Sequence, residues 1–274
     1  MLQQKFKTPS CAYWHNLSRQ KLIESLQRGA WLELNLTPKP GLVDQINNGS
    51  HHDLTFEKME CSINLLGTYF QELNHHLDEG TSLSELKAIG QRAESRMMIH
   101  CGTNTHKGYI FLSGLFLIAA QTAPDLRVGI SETAADLMNN TLEFTNGNRV
   151  RNIYNTGGIV DECLNGLPAV FEIALPLFQK KLVETQNFNT ASFYMMAALM
   201  CHAEDTTAYH RCGANGIHQL KSDGRQLKHL LSAGIDIVPW LNERNHLYQV
   251  MELTMGGVAD LMALTFAVNE MIKN

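Results

Sequence analysis

Residues Gly102-Thr103-Asn104-Thr105-His106-Lys107-Gly108 form the stretch of this chain best equipped for chemistry. The stretch is polar, bounded by glycines, carries one lysine and runs directly into the apolar segment 109–120. Free backbone N–H groups at a helix start attract anions, and a nearby ammonium adds to that attraction. A lysine at a helix start is otherwise poorly placed, because that end of the helix is already positive. The plainer reading is a surface lysine. The spacing favours an anion, such as a phosphate, that loop and lysine share.

Three more segments set glycine and charge against an apolar helix. In Glu33-Leu34-Asn35-Leu36-Thr37-Pro38-Lys39-Pro40-Gly41-Leu42-Val43-Asp44, two prolines stiffen the loop and aim Lys39 and Asp44. Taken alone it reads as a helix stop with solvated charges. In Ala203-Glu204-Asp205-Thr206-Thr207, two carboxylates follow an apolar helix, with Arg211 close behind. Paired carboxylates suit Mg²⁺, a hard cation commonly shared with substrate phosphates. Negative charge at a helix C-terminus is unfavourable, so a cation or Arg211 would offset it. In Gly256-Gly257-Val258-Ala259-Asp260, the glycines permit close backbone approach, and Asp260 sits one turn into a helix as a metal ligand or base. Glu94 stands a little upstream of the first loop, four residues before Met98, near the buried side of its helix. Together the four segments predict an active site that handles polyphosphate.

Composition limits the alternatives. The 274 residues carry a formal net charge of −5, which excludes a global basic field for nucleic acid. The six cysteines form no CxxC pair and show no zinc spacing, which suits a reducing cytoplasm. The first ten residues lack an apolar signal core, and no run of about 18 apolar residues predicts a membrane span. The P-loop, dinucleotide-binding and nucleophile-elbow patterns are absent. His51-His52-Asp53 and His75-His76 lack a matching ligand set, and Met97-Met98 and Met195-Met196 read as core filling.

Helical periodicity positions the four segments. Met59, Ile63, Leu66, Phe70, Leu73 and Leu77 step by four and three along one helix face. Ser82 or Ser84 caps the next helix, whose face holds Leu86, Ile89, Ala93 and Met97. Ile23, Leu26, Ala30 and Leu34 make an earlier one, stopped by Pro38 and Pro40. Helices are also predicted over 110–120, from a Ser131 cap to about 144, from Pro168 through 182, and over 191–201, 225–231, 241–253 and 258–272. The Gly- and Asn-rich stretch 145–166 reads as a long loop, and residues 1–17 as a loosely held arm. Strand-like alternation is almost absent. The expectation is an all-α, single-domain multi-helix bundle over residues 1–274, with polar active-site loops at helix ends.

At these segments the chain resembles the triphosphoribosyl-dephospho-CoA synthase family, of the CitG type. That family's motifs are TPKPGLVD, an NTHKG loop followed by I-F-x-x-G, EDT with a nearby R-G-G, and a C-terminal glycine pair before ADLLA. Here they stand as 37–44, 102–108 with Ile110, Phe111 and Gly114, 204–206 with Arg211, and Gly256-Gly257 with 259–263. The resemblance runs from about residue 20 to the C-terminus. The chain departs from the pattern at Val160 and Asp161, which replace an arginine and a glycine before a retained Glu162. It also departs at Cys212, Met255 and Val258.

The resemblance implies an all-α cytoplasmic transferase. It would move the 5-triphosphoribosyl group of ATP to the 2′-hydroxyl of 3′-dephospho-CoA and release adenine. A separate enzyme would then attach the product to the acyl carrier protein of citrate lyase or malonate decarboxylase. Positive charge develops on the ribose in such a transfer, so the chemistry requires a carboxylate facing the sugar and cations on the triphosphate. On this reading Asp44, Glu94 and Glu204 are candidate bases. Lys39, Lys107, Arg211, Gly256 and Gly257 hold the triphosphate, His106 bonds phosphate or adenine, and Asn104 orients the loop. Mg²⁺, expected with ATP, falls to Glu204, Asp205 and Asp260. A metal-dependent nucleotide or ADP-ribose-type hydrolase and a non-catalytic nucleotide-binding regulatory module are the alternatives. A homodimer is compatible with the sequence.

Overall fold

A computed structural model describes residues 11–139 and 146–273, and among them every regular element is helical. The chain runs through α1 (Cys11–Asn16), α2 (Arg19–Asn35), α3 (Phe56–Asp78), α4 (Leu83–Cys101), α5 (Lys107–Thr122) and α6 (Leu126–Asn139). It continues as α7 (Asn146–Tyr154), α8 (Gly158–Leu164), a π-helical turn (Ala169–Ala174) leading into α9 (Leu175–Thr185), and α10 (Phe188–His202). It ends with α11 (Thr206–Ser232), α12 (Val238–Met251) and α13 (Gly256–Ile272). No helix among the described residues is long and apolar enough to cross a membrane.

Three helices are apolar almost all round, and such helices must be central. In α5 every residue from Tyr109 to Ala120 except Phe111 is buried, and α10 and α13 are buried nearly as fully. The closest partnership is between α2 and α13. Gly29 on α2 lies so near Ala263 and Ala267 of α13 that a Cβ there would collide with backbone. The amphipathic α3 and α4 pack on each other beside α5. The predicted faces are the buried ones: Ile63, Leu66, Phe70 and Leu73 on α3, and Leu86, Ile89, Ala93 and Met97 on α4. Ser82 and Glu85 close a reciprocal capping box at the start of α4.

Several predicted boundaries differ from the observed ones. The stretch 145–166 contains α7 and α8. Its glycines and asparagines lower helix propensity, but Val150 and Cys163 are buried and tertiary packing overrides propensity. Ser131 lies inside α6 and donates its hydroxyl to the Leu164 carbonyl at 2.5 Å. The cap of α6 is Asp125, which accepts from the N–H groups of Arg127 and Val128 at 2.9 and 3.0 Å. Residues 140–145, where that helix was expected to end, lie outside the described residues. The helix expected over 225–231 begins at Thr206, with a kink where Gly213 takes a positive φ of 63°. Residues 1–10 of the expected arm lie outside the described residues. The rest is tied down: Trp14 is buried edge-on against Phe116, and the Tyr13 hydroxyl donates to the Met271 carbonyl at 2.6 Å.

Candidate active site

A cleft of about 620 Å³ opens between two walls. One is built by α4, α5 and the end of α6, and the other by the α7–α8 connection with the first turns of α11 and α13. Its size is ordinary for a small-molecule site. Of the residues singled out from the sequence, Glu94, Lys107, Gly257 and Asp260 line it. Tyr69, Leu86, Ile110 and Phe111 give it an apolar face.

Lys107 is the first residue of α5, as the loop reading predicted. Its ammonium lies 3.0 Å from Glu94 Oε2, and Asn104 Nδ2 donates to the same oxygen at 2.9 Å. The Lys107 side chain is 55 % exposed, so the pair is screened and readily exchanged for a stronger anion. Asn104 Oδ1 is buried without a partner.

Asp260 enters the cleft from one turn into α13 and rests against Gly108, where any side chain would collide with its carboxylate. The Tyr109 N–H donates to it. Burial pushes the Asp260 carboxyl well above the usual carboxylate range, and the nearby charges of Asp205 and Glu33 push it the same way. It therefore holds its proton at pH values where an ordinary aspartate has lost it.

Other candidates turn inward. Asp205 is buried and caps α11, accepting from Thr207 and Ala208 N–H at 2.9 and 3.0 Å. Its second oxygen accepts from Val258 N–H at 2.9 Å, and Gly257 N–H also donates to it. The helix start offered by Gly256 and Gly257 thus already holds an anion, the side chain of Asp205. A Cβ on Gly257 would sit 3.1 Å from that carboxylate, which explains the glycine.

Asp44 is likewise sealed. It accepts from Lys39 N–H at 2.9 Å and from the N–H groups of Ile46 and Asn47 at 2.8 and 3.1 Å. It closes its own loop and does not reach the cleft. Lys39 is 1 % exposed, and its ammonium bonds the carbonyl and carboxylate of Glu33, each at 2.5 Å. His106 is buried with Nδ1 at 2.6 Å from Ser62 Oγ. Burial, with help from the Lys39 charge, lowers its pKa to about 4, so it is neutral and structural.

Glu204 and Arg211 point elsewhere. Glu204 accepts from Lys221 Nζ at 2.6 Å, Thr156 Oγ1 at 2.9 Å and Tyr209 Oη at 3.1 Å. Burial pushes its carboxyl up, but the bonds from Lys221 and Thr156 outweigh that and hold it below the ordinary range. Arg211 donates to the Ser50 carbonyl at 2.8 Å and lies 3.5 Å from His51 Nδ1. Burial and this guanidinium lower the His51 pKa to about 4.

The expected Mg²⁺ set is therefore not brought together. The oxygens of Glu204 and Asp205 are taken by hydrogen-bond donors, and only Asp260 faces the cleft. Among the described residues no three His, Cys, Asp or Glu side chains converge as a metal site. Glu33, Ser62, Thr156 and Lys221 complete these networks, and the sequence reading had assigned none of them a role. The only signal for Glu33 was its presence six residues before Lys39 across a helix end.

Comparison with known proteins bears out the family resemblance. Residues 19–274 match the family model described as CitG, ATP:dephospho-CoA triphosphoribosyl transferase. A 2-(5''-triphosphoribosyl)-3'-dephosphocoenzyme-A synthase of Pectobacterium atrosepticum is 32% identical over 275 residues, covering 90% of this chain and 89% of that one. A protein of Vibrio cholerae named a probable synthase of the same kind is 31% identical, over 88% of this chain and 85% of its own. One of Streptococcus mutans with that same name is 29% identical, over 85% and 90%. No solved structure matches. On the family match across nearly its whole length, the chain belongs to the CitG family of ATP:dephospho-CoA triphosphoribosyl transferases.

Proposed function

We propose that the cleft is where the 5-triphosphoribosyl group of ATP passes to the 2′-hydroxyl of 3′-dephospho-CoA, with release of adenine. The family's activity supplies the two substrates. The observation that carries the placement is the pairing of two carboxyl groups in one cleft with different partners. Glu94 is bonded to a cation, while Asp260 is half-buried, its carboxyl raised well above the usual range so that it keeps its proton.

Glycosyl transfer uses such a pair, one group as acid and one as base, with roles set by environment. The triphosphate draws Lys107 away from Glu94, which frees that carboxylate. Glu94 then takes the proton of the attacking 2′-hydroxyl as oxygen bonds to C1′. The C1′–N9 bond breaks, its electron pair leaves with adenine, and Asp260 supplies a proton to the departing base. The apolar face at Leu86, Ile110 and Phe111 suits the adenine ring. Lys107 holds the phosphates and keeps them intact while the bond at the far side of the sugar breaks.

Mg²⁺ belongs in this reading as the ion that accompanies ATP, since the carboxylates among the described residues do not form a cage of their own. Mg²⁺ commonly keeps several waters and takes one or two carboxylates beside substrate phosphates. The product would serve the carrier protein of citrate lyase or malonate decarboxylase, in the cytoplasm where ATP is made.

The test is adenine release followed by chromatography. The expected result is adenine formed only when ATP and dephospho-CoA are both present, with a matching triphosphoribosylated product. Adenine formed equally fast from ATP alone would make the chain a hydrolase.

A further inference from the structure

Lys87 and Lys107 line one wall of the cleft, and the other carries a cation of its own that no motif marks. Arg151, on α7, lines the cleft together with Gly157, Ile159 and Val160. Val160 occupies the position where the family pattern has an arginine, so the side chain expected to bring positive charge to this wall is apolar here. Arg151 brings a guanidinium to the same wall from the neighbouring helix. We propose that Arg151 is a specificity-determining residue that binds the triphosphate of ATP, paired across the cleft with Lys107.

The geometry of its present partner supports this. Arg151 Nη2 lies 3.4 Å from Asp161 Oδ1, a long contact to a carboxylate that is 54% exposed. Exposed pairs of that kind contribute little and are given up easily. Asp161 itself is the second departure from the family pattern, standing where that pattern has glycine. It folds back over Gly157, where any side chain would collide with its carboxylate. The two departures thus work together: Asp161 aims the guanidinium that Val160 no longer supplies. Lys107 is held in the same manner by Glu94 on the other wall. Lys107 and Arg151 are thus each kept on a carboxylate that a phosphate can replace, and arginine matches phosphate with two parallel hydrogen bonds.

This inference rests on the proposed use of the cleft, and its test is chosen to be read separately from turnover. Isothermal calorimetry measures binding of inorganic tripolyphosphate and of dephospho-CoA to the full chain and to Arg151→Ala. Loss of one charge-assisted contact should weaken tripolyphosphate about tenfold or more, with dephospho-CoA unchanged. Weaker dephospho-CoA with unaltered tripolyphosphate would move Arg151 to the pyrophosphate of the acceptor and overturn the assignment. Equal binding of both by the variant and the parent would overturn it as well. If Arg151→Ala does not fold, Asp161→Asn gives the answer. Freeing the guanidinium should tighten tripolyphosphate a few-fold, and unchanged or weaker binding would reject the proposal. If adenine transfer fails while tripolyphosphate binding shows the expected loss, the fault lies in the proposed reaction and not in Arg151.

Discussion

The Glu94 carboxylate holds the Lys107 ammonium at 3.0 Å across the corner between α4 and α5. A cation at a helix N-terminus is unfavourable, and this contact keeps it there until an anion arrives. Lys107→Ala should lower kcat/KM about a hundredfold or more, the scale for removing one charge-stabilising group from an active site. The side chain is half-exposed, so circular dichroism and thermal midpoint should stay near those of the parent. Near-normal kinetics would remove Lys107 from the reaction.

Asp260 should make both catalysis and stability pH-dependent. Its folded pKa is raised above the unfolded value of about 3.9. Between those two values the folded chain binds more protons than the unfolded chain, so its contribution to stability falls as pH rises. Asp260→Asn lacks this slope, and its denaturation midpoint should gain on the parent from about pH 4 upward until Asp260 ionises. The same variant should lose about a hundredfold or more in kcat, as expected for a lost general acid. A parallel pair of stability–pH curves would show that Asp260 is an ordinary ionised aspartate.

Glu204 is a strut between α11 and the turn that precedes α8. Its bonds to Lys221 and Thr156 hold one wall of the cleft. Glu204→Gln should raise KM for ATP about tenfold through misplaced contacts and leave the Mg²⁺ concentration for half-maximal activity unchanged. A Mg²⁺ requirement shifted by more than tenfold would return Glu204 to the metal.

The ion pair of Lys39 and Glu33 is buried at both ends, with side-chain exposures of 0% and 6%. Removing one partner strands a charge in the interior. Lys39→Met should cost about 3–5 kcal/mol in urea unfolding, and adding Glu33→Leu should recover much of it. A single variant as stable as the parent would mean that the pair carries no such burden.

These outcomes follow from a difference between what the residue types announce and where the side chains go. The periodic faces of α3 and α4 were legible because local pattern fixes them, and a serine cap for α4 was legible as Ser82 or Ser84. So were the polar loops and the cation at the start of α5. The inward turn of Lys39, Asp44, His106 and Asp205 was not legible. A charged residue in a loop reads as solvated or ligand-binding unless its partner is known, and their partners include Ser62 on α3 and Val258 on α13. The full length of α11 was hidden for a related reason. Gly216 and Gly224 weaken the helical signal, yet they let α11 lie against Leu253 and against Met200 of α10. Arg151 went unseen because the stretch around it reads as loop.

The cleft gathers residues from Tyr69 to Asp260, and the α13 that carries Asp260 packs against α2. No fragment of the chain owns the cleft. A nucleotide that binds there recognises the finished assembly alone, so its binding energy is added to the stability of all these helices at once. At a hundred times its dissociation constant, ATP should add about 2.7 kcal/mol to unfolding. Resistance to proteolysis at sites remote from the cleft would then rise with substrate supply, which ties the lifetime of the enzyme to the availability of what it consumes.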